Sequence, residues 1–85
     1  MIFKSQEMKC LLDVLRILSK EKSRYATMFK KTKVSHTTLQ KVLKYLSKNS
    51  FIKRKDIGKR NISYEITEKG EKLLDKIEEL RIILR

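Results

Sequence analysis

The 85-residue chain carries 22 Lys and Arg against 10 Asp and Glu, a net charge of +12, with one cysteine and no proline. That length makes one domain, residues 1–85, able to bury roughly 60–70% of its unfolded surface in a core without staples; the lone Cys10 excludes an internal disulfide and fits a reducing compartment. No apolar run approaches the ~20 residues of a membrane span, and Lys9, Asp13 and Arg16 interrupt the early apolar residues with no small-residue cleavage site, so the chain reads as soluble and cytoplasmic.

Residues 5–20, SQEMKCLLDVLRILSK, read as a first helix. Ser5 is the candidate N-cap and Glu7 suits the first turn. Met8, Leu11, Leu12, Leu15 and Leu18 recur at helical spacing, widened by Val14 and Ile17. Residues 24–32, RYATMFKKT, read as a short second helix capped by Ser23, with Tyr25, Met28 and Phe29 as its apolar side. After the tight connection KVS, Ser35 caps a third helix, HTTLQKVLKYLSKN. Leu39, Val42, Leu43 and Leu46 share one face of it, and His36, Thr37, Gln40, Lys41 and Lys44 take the other. Asn49 or Ser50 ends it, Asn being tolerant of the left-handed conformation common at helix ends.

Two β-prone segments follow, FIKRKDI and NISYEIT, with GKRN between them as a turn. Ile62, Tyr64 and Ile66 alternate with Ser63 and Glu65 as in a half-buried strand, which places Tyr64 in the core. Gly58 and Asn61 suit positive φ. Thr67 caps a last helix whose apolar residues are Leu73, Leu74, Ile77, Leu80, Ile83 and Leu84. Tyr45 could face a neighbour or a ligand; the pattern leaves both open. The class is mainly α with a β-hairpin, in the order helix, helix, helix, hairpin, helix.

The charge is uneven along this order. Residues 1–23 hold five bases and three acids, residues 61–85 five bases and six acids, and residues 24–60 twelve bases with Asp56 the single acid. A lysine-rich surface of the thermophile kind would interleave Lys with Glu, as both ends do. A localised positive field suits a polyanionic partner. Five of those bases, Lys53, Arg54, Lys55, Lys59 and Arg60, crowd on the hairpin. One or two would suffice to keep an edge strand from aggregating.

The stretches VSHTTLQKVLKYLSKNSFI (34–52) and SYEITEKGEKLL (63–74) resemble two parts of small archaeal or archaeal-virus winged helix-turn-helix transcription regulators. The first resembles the turn, recognition helix and first wing strand. The second resembles the return strand and following helix, with its Tyr-x-(apolar)-Thr-x-x-Gly pattern. The likeness spans roughly residues 8–84. Where such proteins often carry glycine before the first wing strand, this chain has Ser50, preceded by Asn49.

The resemblance implies a regulator of transcription that binds double-stranded DNA in a sequence-specific manner, in a nucleoid or, if viral, in host cytoplasm. The recognition helix, about 35–48, would enter the major groove with its N-terminal part. Ser35, His36, Thr37, Gln40, Lys41 and Lys44 would face DNA there, where Gln suits adenine, Lys guanine and Thr a thymine methyl. The wing, about 51–66, would lay Lys53, Arg54, Lys55, Lys59 and Arg60 on the phosphates, with Arg60 able to dip into the minor groove. A non-specific architectural protein is the alternative, disfavoured by Thr and Gln where coating needs only Lys and Arg. A protein-interaction module is disfavoured by the central charge, and duplex RNA by its narrow major groove.

The last helix of such regulators often pairs into a coiled-coil dimer. Here Leu73, Ile77, Leu80 and Leu84 are spaced 4, 3 and 4, a heptad-type seam, so 67–85 is expected to form a homodimer interface together with the first helix. No metal cluster accompanies His36, and no phosphate loop, nucleophile elbow or carboxylate pair is present. Neither cofactor, small-molecule ligand nor enzyme activity is expected, and Cys10 falls where it packs rather than reacts.

Overall fold

The computed structural model describes residues 3–58 and 61–84. Its elements are α1 Ser5–Lys20, β1 Ser23–Arg24, α2 Tyr25–Thr32, α3 His36–Lys48, β2 Ile52–Asp56, β3 Ile62–Ile66 and α4 Glu68–Ile83. The expected order is present with one addition. Ser23 and Arg24 pair antiparallel with Tyr64 and Ser63, which makes a three-stranded sheet in the order β1-β3-β2. Two residues carry no periodicity, and their partner strand lies far along the chain, so β1 has no local signature. Arg24, not Ser23, therefore occupies the N-cap of α2. At α1 the cap is Lys4 rather than Ser5: the Glu7 carboxylate accepts from the Lys4 backbone N–H at 2.8 Å, as an acid at the third helical position does in a capping box.

The core grows from the two apolar stripes. α1 supplies Cys10, Leu11, Leu12, Val14, Leu15 and Leu18; α3 supplies Leu39, Val42, Leu43 and Leu46; Met28, Ile52, Tyr64 and Leu74 close it from the other elements. Burial pushes the Cys10 thiol up to about 11, so it stays protonated at neutral pH and packs as a small hydrophobe. Tyr45, undecided from sequence, meets Phe3 edge-on at 5.0 Å and lies beside Phe51.

Local chemistry sets how α3 enters and leaves. α2 ends in a left-handed Lys33 (φ 55), and the Ser35 hydroxyl accepts from the Thr38 N–H at 3.2 Å to start α3. At the other end Ser50 N–H bonds the Ser47 carbonyl and Phe51 N–H the Leu46 carbonyl, the paired bonds of a Schellman motif. The left-handed residue is Ser50 (φ 63), while Asn49 has φ −97 and uses its amide to bond the Tyr45 carbonyl. Ser50 thus adopts the backbone that glycine accepts without strain.

The base of the hairpin is pinned at the same point. Thr67 N–H donates to the Phe51 carbonyl at 3.1 Å, and its hydroxyl lies 2.7 and 3.0 Å from the Ser50 and Phe51 carbonyls. That hydroxyl also accepts from Gly70 N–H, capping α4. A Cβ on Gly70 would stand 2.0 Å from the Phe51 carbonyl oxygen, so the Thr-x-x-Gly spacing is what lets α4 start against the foot of β2. At the tip, Gly58 takes φ 85.

α4 buries only Gly70 and Leu74. Leu73 and Ile77 are half-buried against the chain's own core, so the heptad-type seam divides: its first half packs internally. Leu80 and Leu84 stay 55% and 74% exposed. With Met8, Leu12 and Ile77 they line an apolar groove of about 470 Å³ between α1 and α4, spanned further on by Arg16–Glu78 at 2.7 Å. Among the described residues no helix is long and apolar enough to cross a membrane.

Candidate nucleic-acid interface

With Leu39, Val42, Leu43 and Leu46 turned inward, helical spacing puts Thr37 and Lys48 opposite, with Lys44 and then Gln40 turned toward the hairpin and Lys41 turned toward α1. Two adjoining depressions, of about 480 and 630 Å³, run between α3 and the sheet. They share Tyr25, Gln40, Arg54 and Tyr64; Lys44 and Lys48 edge the first and Arg24 the second. The result is an apolar floor with cationic edges and the Gln40 and Asn61 amides.

The six residues expected on α3 do not all remain available. Thr37, Gln40 and Lys44 are exposed. Ser35 is occupied as the helix cap, its hydroxyl also 3.0 Å from Thr38 Oγ1. His36 is exposed but held: its ring stacks on Phe29 with centroids 3.8 Å apart, and its Nδ1 lies 2.9 Å from the Tyr25 hydroxyl. Lys41 donates to Glu7 Oε2 at 2.9 Å, which ties α3 to the start of α1. This pair and the Lys4 N–H hold the Glu7 carboxyl below its ordinary range. No acid adjoins α3 in sequence; the acid arrives from α1 by folding.

The hairpin cations also divide. Ile52, Arg54 and Asp56 alternate with Lys53 and Lys55, and strand geometry sends the two sets to opposite faces. Arg54, opposite Tyr64 in the ladder, lies in the depression beside α3. Lys53 and Lys55 lie on the other face with Glu65, which Lys55 reaches at 3.2 Å. Lys59 and Arg60 lie outside the described residues.

Arg24 beside α3 and Lys48 on its exposed face were not singled out from sequence. Lys48 was legible, being one helical turn beyond Lys44. Arg24 was not, because its position depends on the unforeseen β1. Among the described residues no group of three or more His, Cys, Asp and Glu is placed to hold a metal ion.

The comparisons agree with this architecture. Sso10a-2, a DNA-binding protein from Sulfolobus solfataricus, superposes with a TM-score of 0.78 at 28% identity, over 95% of this chain and 81% of that one. The protein smu.1704 from Streptococcus mutans superposes at 0.82 with 23% identity, over 99% and 86%. The reduced form of the transcriptional regulator YodB from B. subtilis superposes at 0.73 with 21% identity, over 93% and 76%. No curated protein matches the chain in sequence. The family model for the winged helix-turn-helix matches residues 4–84, with α2 and α3 as the helix-turn-helix and β2–β3 as the wing, and the chain belongs to that family.

Proposed function

We propose that the chain is a sequence-specific transcription regulator that binds double-stranded DNA as a homodimer. α3 enters the major groove with Thr37, Gln40 and Lys44 at the base edges, and Arg24, Lys48 and Arg54 meet phosphates on either side. The observation that carries this reading is the joining of Gln40, Lys44 and Arg54 along one depression, in a half of the chain with twelve bases and one acid. Cations replace counterions and supply affinity, while short polar groups discriminate bases. The likeness to Sso10a-2, a DNA-binding protein, supports it.

The dimer rests on the α1–α4 groove and the exposed Leu80 and Leu84, which lie on elements with balanced charge, apart from the basic half. A two-fold pair would set two α3 helices in successive major grooves about 34–36 Å apart, and the preferred site would be an inverted repeat. Selection of bound duplexes from a random pool tests the reading: an enriched, two-fold-related motif supports it. A flat outcome would transfer the assignment to a non-specific architectural DNA-binding protein, which would use the same cations without the Gln40 and Thr37 contacts.

A further inference from the structure

The start of α3 holds a polar side-chain pair that backbone capping does not require. Tyr25, the first residue of α2, reaches across the turn so that its hydroxyl stands 2.9 Å from His36 Nδ1. The Tyr25, Phe29 and His36 rings are nearly parallel, with interplanar angles of 6° and 9°, so the imidazole has little freedom to turn. Gln40 lines the same depression as this phenol, and burial raises the phenol's pKa further above neutrality. A neutral imidazole has one N–H and one bare nitrogen. The contact has a possible donor on either side, but a phenolic O–H is a stronger donor than its ring-conjugated oxygen is an acceptor, and a bare imidazole nitrogen is a strong acceptor, so the pair favours the Tyr25 hydroxyl donating to Nδ1. The imidazole proton then resides on Nε2, across the ring from Tyr25, on an exposed residue at the front of α3.

We propose that Tyr25 is a positioning residue that locks His36 as the Nε2–H tautomer, so that α3 presents to DNA a fixed donor for an acceptor atom: a purine N7 or O6, a thymine O4, or a phosphate oxygen. The proposal rests on the reading of α3 as the DNA-facing helix. It makes the aromatic shelf on α2 part of recognition, although Tyr25 itself touches no base. A freely rotating His36 could accept as readily as donate; the locked ring favours acceptor-bearing sites.

The tautomer is read without DNA, from the imidazole ¹⁵N shifts of the full chain. The parent should show the Nε2–H pattern, and Tyr25→Phe, which keeps the ring stack and removes only the hydroxyl, should shift it toward a mixture. Binding is then measured on a duplex from the selected pool and on an unrelated duplex. Tyr25→Phe and His36→Leu should each weaken binding roughly 3- to 10-fold, the loss expected for one hydrogen bond. The double variant should lose little more than either alone, and His36→Gln, which keeps a donor near the Nε2 position, should recover part of the affinity. Loss confined to the selected duplex identifies a base acceptor; equal loss on both identifies a phosphate; either supports the proposal. An Nδ1–H pattern in the parent, or full affinity in Tyr25→Phe and His36→Leu while the parent binds, overturns the relay and leaves the DNA-binding reading standing. A parent that binds no duplex overturns both.

Discussion

α3 and α4 are amphipathic helices of 13 and 16 residues that treat water in opposite ways. α3 buries its four aliphatic residues and shows solvent Thr, Gln and Lys. α4 buries Leu74 and leaves Leu80, Ile82, Ile83 and Leu84 exposed among acids and bases. An outer surface with cations and short polar groups suits a charged, hydrogen-bonding partner, whereas leftover apolar surface is relieved only by another apolar surface. Under the proposed function, nucleic acid meets the first side of the molecule and a second copy the other, so the two contacts would not compete for the same residues.

That contrast can be broken from either side. Introducing charge into the α1–α4 groove has the largest expected effect: light scattering should give the parent twice its 10.2 kDa chain mass, and Leu80→Glu with Leu84→Glu should give the single-chain mass. A dimer that survives both changes places the interface elsewhere. Truncation of apolar residues should separate the helices next. Leu46→Ala on α3, fully buried, should lower unfolding free energy by about 2–5 kcal/mol. Ile83→Ala on α4, 76% exposed in the single chain and off the Leu73–Ile77–Leu80–Leu84 seam, should change it by no more than about 0.5 kcal/mol. Comparable losses in denaturant melts would erase the distinction.

Within the basic half, Gln40→Ala should relax preference at one or two base positions by about 1–3 kcal/mol. Arg54→Ala should weaken all sequences evenly and reduce the salt slope. Equal, sequence-blind losses from both would remove α3 as the reader. A smaller effect is expected at the exit of α3, where Ser50→Gly should stabilise by about 1 kcal/mol by relieving the left-handed backbone.

The smallest concerns acid stability. Lys41 and the Lys4 N–H favour the Glu7 anion, so its folded pKa lies below the ordinary 4.5. The stability it contributes is whole above that ordinary value and is lost as the pH falls through the lowered folded value. Glu7→Gln should flatten the acid limb of a thermal-melt series between about pH 2 and 5; an unchanged limb would show the Lys41 pair contributes nothing.

Much of this was legible because the signals are local. The Ser35 and Thr67 caps, the four-residue stripe of α3 and the inward Tyr64 each depend on residues within a turn or strand of one another. What sequence missed depends on contacts across the fold. β1 exists only because β3 lies beside it. Lys41 is drawn to Glu7 by the packing of α1, and His36 is fixed by aromatic rings of α2. The seam from Leu73 to Leu84 was read as one surface, yet the start of α4 is held against the core by Gly70 at the foot of the wing. The separation of Arg54 from Lys53 and Lys55 was present in the strand period and was obscured by counting the hairpin's charges together.

The central claim, that the α3–wing half meets duplex DNA through its cations, is tested most directly by titrating binding of the full chain against salt. Neutralisation of about six to ten phosphates should weaken binding roughly 10³–10⁵-fold between ~50 and ~200 mM monovalent salt. A nearly flat dependence over that range would contradict it.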